Sequence, residues 1–185
     1  MAKALAAGFI EAGALQKEQV FAYAPNQEKL KRNAADIGFT PVDTVKELVN
    51  TCDTLIMACK PYQIESVLSE IGLLLAGKVL LSVAAGWDHA KYATYLQTGS
   101  DSAQSVRVQF IMPNTPAMVA EGVFLFEETN SLTEAEAEQA KDLFASLGTV
   151  EVLPSHLMGI GGAISGCGPA FVDLMMEAYA DAAVK

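Results

Sequence analysis

A chain of 185 residues, 51% of them hydrophobic, has room for one full domain with a buried core and the start of a second. Its 22 acidic against 12 basic side chains leave a net charge of −10, which argues against polyanionic partners such as nucleic acid or an acidic membrane surface. Cys52, Cys59 and Cys167 are odd in number and lack CxxC or Cys/His ligand spacing, arguing against a disulfide framework or structural zinc and for reduced, cytoplasmic thiols.

Residues 1–12, rich in alanine and leucine and closed by Gly13, read as a helix, with none of the pattern of a signal peptide. The segment 19–24 (QVFAYA) reads as a strand, after which Asn26 caps a helix over 27–37 that Gly38 ends. A short strand at 39–42 precedes Thr44-x-x-Glu47, a capping pattern for a helix reaching residue 50. The apolar run 53–58 (DTLIMA) has buried-strand length. A helix over 62–75, a strand over 78–83 and a helix over 88–97 follow it. The apolar run 71–85 is broken by Gly72, Gly77 and Lys78 and is too short to cross a bilayer. Strands at 106–111 and 123–126 flank the proline-rich loop 113–116; Thr133-x-x-Glu136 then opens a helix ending at Gly148, and 149–153 is a last strand.

Strands alternating with helices predict βαβ units in an α/β fold with a Rossmann-like, doubly wound, mostly parallel sheet over 1–153. Beyond Pro154 the chain holds small residues, methionines and helix formers, which predicts the start of an all-α unit over 154–185. Within it, Ser165-Gly166-Cys167-Gly168-Pro169-Ala170-Phe171 reads as a polar loop turning into an apolar helix, with Pro169 in the first helical turn. Gly166 and Gly168 would either permit a tight turn or let a small anion approach the N–H groups at that helix's positive end. The helix carries Phe171, Val172, Leu174, Met175, Ala178, Tyr179 and Ala182 at helical spacing, a face that needs a partner.

In open α/β sheets ligands bind beyond the carboxyl ends of strands, which singles out three loops. Ala58, Cys59, Lys60 and Pro61 follow one strand, Ala84, Ala85 and Gly86 another, and Met112, Pro113, Asn114, Thr115 and Pro116 a third. Small residues let a flat ring lie against backbone, and prolines fix the geometry of the Asn114 amide. Each has a plainer reading as a surface lysine, a tight turn or a stiff loop.

Together, Lys60-Pro61, Ala84-Ala85-Gly86, the MPNTP block at 112–116 and the SGxGPA block at 165–170 resemble, in order and spacing, the pyrroline-5-carboxylate reductase family. The resemblance implies reduction of 1-pyrroline-5-carboxylate to L-proline with NADPH or NADH, a Rossmann domain, and a C-terminal helical domain through which a homodimer or larger homo-oligomer forms. It also implies that Ser165, Gly166, Cys167, Gly168, Pro169 and Ala170 hold the substrate carboxylate. Ala58–Pro61, Ala84–Gly86 and Met112–Asn114 would line the nicotinamide side, and Ala2 would be the last small residue of the glycine-rich cofactor turn.

The chain departs from the family pattern in several places. It starts at the methionine that follows the usual first strand and glycine turn, and it ends within the helical domain. Cys167 replaces a serine, and Gly159-Ile160-Gly161-Gly162 is richer in glycine than usual, implying a looser entry to the helix. The end of the second strand, Tyr23-Ala24-Pro25-Asn26, lacks the carboxylate that binds ribose hydroxyls in NAD sites. Asn26, helped by Lys29, could therefore meet a 2′-phosphate, which leans the residues to NADPH. His89 and His156 end no predicted strand, so proximity rather than acid–base catalysis is expected; Glu177 is the carboxylate to watch. Open alternatives are another Rossmann-type imine or hydroxyacid reductase, in which Lys60 would assist the carbonyl, and a fragment that folds and associates without catalysis.

Overall fold

In the computed structural model, which describes residues 1–99 and 105–184, the chain begins with helix α1 (Ala2–Glu11). Strand β1 (Phe21–Ala22), helix α2 (Gln27–Ile37) and strand β2 (Thr40–Pro41) follow, and β1 and β2 pair in parallel as a two-stranded sheet. Helix α3 (Val45–Thr51) leads to β3 (Thr54–Met57), α4 (Ile64–Ile71), β4 (Val79–Ser82) and α5 (His89–Ala93). Then come β5 (Arg107–Pro113), β6 (Gly122–Glu127), α6 (Glu134–Ala145), β7 (Gly148–Leu153) and α7 (Met158–Ala183).

The larger sheet has the order β3-β4-β5-β6-β7, with β3, β4 and β5 parallel, β6 antiparallel to β5, and β7 parallel to β6. The α/β architecture is therefore the mostly parallel one expected from the sequence.

Local chemistry sets the helix starts. The Asn26 side chain accepts from the Lys29 N–H at 2.9 Å, Thr44 accepts from Glu47, and Thr133 and Glu136 form a reciprocal capping box. One face of the sheet buries Leu55, Met57, Leu80 and Val108 against Val49, Ile64, Leu68 and Leu75. The other buries Leu81, Ile111, Phe124 and Phe126 against Leu5 and Phe9 of α1 and Phe144 of α6. Phe144 takes the edges or faces of Phe9, Phe124 and Phe126 at 5.1–5.6 Å between centroids, an arrangement favoured by the ring quadrupoles.

Several expectations need correction. The strand expected over 19–24 is reduced to two residues, preceded by a 3-10 turn at Lys17–Gln19; among the described residues β1 pairs with β2 alone. The helix expected over 62–75 is a 3-10 turn at Pro61–Gln63, then α4, then a 3-10 turn at Gly72–Leu75; that over 88–97 keeps only the five residues of α5. Met112 and Pro113 belong to β5 rather than to a loop, which leaves Asn114 to open a 3-10 turn at Thr115–Val119.

The largest change concerns the second unit. No helix begins at Pro169: α7 begins at Met158 and runs through Pro169 as one helix of 26 residues. Nor is the glycine-rich entry loose. A Cβ on Gly161 would lie 2.6 Å from Leu153 Cδ1 and 2.9 Å from Leu125 Cδ1, and one on Gly162 would overlap the Met112 sulfur. Bare backbone lets α7 seat directly on β5, β6 and β7. Past residue 165 the helix leaves the sheet, and Phe171, Leu174, Met175 and Tyr179 are exposed. The segment Ser155–Ala183 is long and apolar enough, by length and composition, to cross a membrane, which the sequence reading of shorter apolar runs did not anticipate.

Candidate functional site

Parallel register brings the loop positions together. Met57 pairs with Ser82 and Ser82 with Phe110, so the chain leaves β3, β4 and β5 along one edge of the sheet. That edge carries Ala58–Pro61, Ala84–Gly86 and Asn114, as expected for the carboxyl ends of parallel strands.

Specific bonds pin these loops. The Lys60 N–H donates to Gln63 Oε1 at 3.1 Å, which starts the 3-10 turn at Pro61, while the Lys60 side chain is exposed. The Trp87 indole N–H donates to the Pro61 carbonyl at 3.1 Å and fastens the second loop to the first. Gly86 supplies the left-handed turn between them at φ +75°. Trp87 packs against Tyr92 and Tyr95, with the Lys91 ammonium 4.3 Å from its ring centre. Sequence reasoning missed Trp87; its signal was the chain's lone tryptophan directly after Ala84-Ala85-Gly86.

Asn114 is buried, and both ends of its amide are engaged. Oδ1 accepts from the Val123 N–H at 2.8 Å and Nδ2 donates to the Ser165 carbonyl at 3.1 Å. The second bond follows from Pro169. In an α-helix the N–H of residue 169 would serve the carbonyl of residue 165, and proline has none. Asn114 fills that vacancy from the sheet, so its amide holds α7 as well as lining the edge.

The helix N-terminus expected at Pro169 is absent. Gly166, Cys167, Gly168 and Ala170 lie inside α7, where backbone N–H groups are committed to carbonyls four residues back, and no helix N-terminus opens at this stretch. What remains in it without a partner is the Ser165 hydroxyl, buried beside Asn114. Glu177 is exposed on α7, away from the strand edge.

Burial favours the neutral form of two side chains near the edge. Burial pushes the Cys59 thiol up, and burial pushes the Tyr92 hydroxyl up further while it donates to Ser82 Oγ at 3.0 Å. His89 lies at the start of α5, where its backbone N–H donates to Glu127 Oε2 at the end of β6 (2.9 Å), and His156 lies on the exposed turn before α7; neither belongs to the loops that follow β3, β4 and β5.

The residues fit a dinucleotide on three observations. Helix α1 starts at Ala2, and the backbone N–H groups of a helix's first turn suit a phosphate. Just beyond the two-stranded sheet Gln27 bridges Ala24 and Val42: its Nε2 donates to both carbonyls, at 3.1 and 3.4 Å, while its buried Oε1 has no partner. That residue also escaped the sequence reading, since a glutamine after a cap residue carries no local signal. Finally, Ala84 and Ala85 leave flat backbone beside Gly86, where a Cβ would meet nothing within 4 Å. Among the described residues no cluster of His, Cys, Asp or Glu is placed to hold a metal.

Residues 1–86 match the family model described as "NADP oxidoreductase coenzyme F420-dependent". The whole chain is 38% identical over 185 residues to a pyrroline-5-carboxylate reductase of Treponema pallidum, covering 69% of it. It superposes on a crystal structure of Plasmodium falciparum pyrroline carboxylate reductase with NADP bound at a TM-score of 0.81 and 32% identity, covering 98% of this chain and 64% of that one. A pyrroline-5-carboxylate reductase structure from Coxiella burnetii gives a TM-score of 0.88 at 24% identity, again over 98% of this chain and 66% of the other. The chain thus spans about two thirds of the length of these relatives. Shared fold, strand-edge loops and full-chain similarity together place this chain in the pyrroline-5-carboxylate reductase family.

Proposed function

We propose that the chain reduces 1-pyrroline-5-carboxylate to L-proline, the last step of proline biosynthesis, with NADPH as cofactor and NADH as the alternative. The observation that carries this reading is the alignment of three loops along one strand edge, with α7 fastened to the third through Asn114. A bound reduced nicotinamide supplies the hydride. Ala58, Cys59, Ala84, Ala85, Met112 and Pro113 offer it a small, neutral wall, and the absence of a carboxylate at Tyr23–Asn26 leaves room for a 2′-phosphate near Asn26 and Lys29.

A protonated cyclic imine is already electrophilic, so these residues need to hold and desolvate the reactants rather than move protons. The neutral Cys59 thiol and the engaged Tyr92 hydroxyl suit that role. On the α7 side, the Ser165 hydroxyl is the buried polar group free to meet substrate.

The exposed apolar residues of α7 support homo-oligomerisation through this helix. Asp173, Glu177 and Asp181, spaced one turn apart and exposed, oppose insertion into a bilayer, and three free cysteines suit a cytoplasmic protein.

The test is to mix the chain with NADPH and 1-pyrroline-5-carboxylate and follow cofactor absorbance. Oxidation dependent on the imine is expected. Equal turnover of cyclic imines lacking a carboxylate, together with dependence on Lys60 in a Lys60→Ala variant, would move the reading to another imine or hydroxyacid reductase.

A further inference from the structure

We propose that Asn114 is a positioning residue that couples dinucleotide binding to the seat of α7. Two contacts join the same short segment to one face of the helix. Met112 Sδ fills the space where a Cβ of Gly162 would stand, and Asn114 Nδ2 holds the Ser165 carbonyl at 3.1 Å. Gly162 and Ser165 are three residues apart, hence neighbours on the helix surface. The Ser165 carbonyl can take this bond because Pro169 leaves it without a partner inside the helix.

Asn114 is also fixed from the other side, since its Oδ1 receives the Val123 N–H of β6 at 2.8 Å. An amide buried between β6 and α7, with both ends bonded, shifts only when one of those bonds opens. Ligand held against Met112 and Pro113 therefore restricts the amide that carries α7, and by linkage whatever steadies α7 tightens that ligand.

The first arm of the test is independent of the cofactor. Hydrogen exchange over residues 158–168 is followed in the intact chain, in Asn114→Ala, in Pro169→Ala and in the double variant. Asn114→Ala is expected to speed exchange there about fivefold, the worth of one hydrogen bond. With Pro169→Ala the new N–H serves the Ser165 carbonyl, and the same substitution should then change exchange less than about twofold. The Val123 bond is lost in both backgrounds and cancels in the comparison. Equal effects in the two backgrounds would overturn the proposal.

The second arm rests on the functional reading above and uses NADPH itself. Saturating NADPH should slow exchange over 158–168 at least about threefold in the intact chain and leave it unchanged in Asn114→Ala brought to the same occupancy. NADPH binding that leaves α7 unaffected, or slows it equally without Asn114, would overturn the coupling alone. A failure to bind NADPH at all would sink the functional reading instead, and the first arm would still judge the hold of Asn114 on α7.

Discussion

The Trp87 indole N–H meets the Pro61 carbonyl at 3.1 Å, so two loops that leave neighbouring parallel strands behave as one wall. Trp87 is 1% exposed and stacks on Tyr92 and Tyr95 at 5.1 and 5.3 Å between centroids. Trp87→Phe keeps an aromatic ring but removes the donor and some volume. It should cost roughly 1–3 kcal/mol in urea unfolding and weaken NADPH binding several-fold in a titration. Lys91→Met removes only the cation above the ring and should cost about 0.5–1 kcal/mol, with dinucleotide affinity unchanged.

Glu136 makes stability depend on acid pH. Burial pushes its carboxyl up, but the Thr133 N–H and hydroxyl and the Arg107 guanidinium outweigh that and hold it below the ordinary value of 4.5. Arg107 Nε reaches both carboxylate oxygens, at 2.7 and 2.8 Å. A carboxyl with a lowered native pKa stabilises the fold fully above its unfolded pKa, and that contribution disappears as pH falls through the native one. Tm should accordingly be flat above about pH 5 and decline below 4.5. Glu136→Gln should lower Tm at neutral pH and make the acid decline shallower, as seen by calorimetry at a series of pH values.

Gly86 and Gly13 make a matched pair. Both hold left-handed backbone, at φ +75° and +70°, and at both a Cβ would meet nothing within 4 Å. Alanine at either position should cost about 1–2 kcal/mol, purely for the conformation. Gly86→Ala alone should also weaken NADPH binding, because only that turn lies on the strand edge. Equal affinities in the two variants would remove the second loop from the cofactor site.

What could be read from the sequence divides along physical lines. Asn26, Thr44 and Thr133 cap as expected because a cap is decided within four residues, whatever the rest of the fold does. The loops at the ends of β3, β4 and β5 were legible for a similar reason, since strand–helix alternation fixes which end of the sheet they occupy. Pro169 misled because the local rule, proline in the first turn, is right only when nothing outside the helix can serve the orphaned carbonyl. Asn114 does so from a position 51 residues earlier in the chain, a relationship that no window of sequence displays. Gly161 and Gly162 misled likewise: glycine is a poor helix former in isolation, and only the closeness of Met112, Leu125 and Leu153 turns two of them into a docking surface.

The glycines of α7 therefore separate into two kinds, and alanine substitution distinguishes them. At Gly161 and Gly162 a Cβ would collide with Leu153, Leu125 and Met112, so Gly161→Ala and Gly162→Ala should each lower stability by roughly 1–3 kcal/mol in urea unfolding. Met112→Ala should relieve part of the Gly162→Ala cost in the double variant, because it removes the sulfur that the new methyl meets. At Gly166 and Gly168 a Cβ would meet nothing within 4 Å, and these positions are interior to the helix. There alanine has the better helix propensity, so Gly166→Ala and Gly168→Ala should each raise stability by about 0.5–1 kcal/mol. Destabilisation at Gly166 equal to that at Gly162 would mean that the backbone there is not helix interior. If instead Gly166→Ala is more stable but loses turnover with unchanged NADPH affinity, then substrate approaches α7 at that bare surface, and glycine is kept there for access rather than for packing.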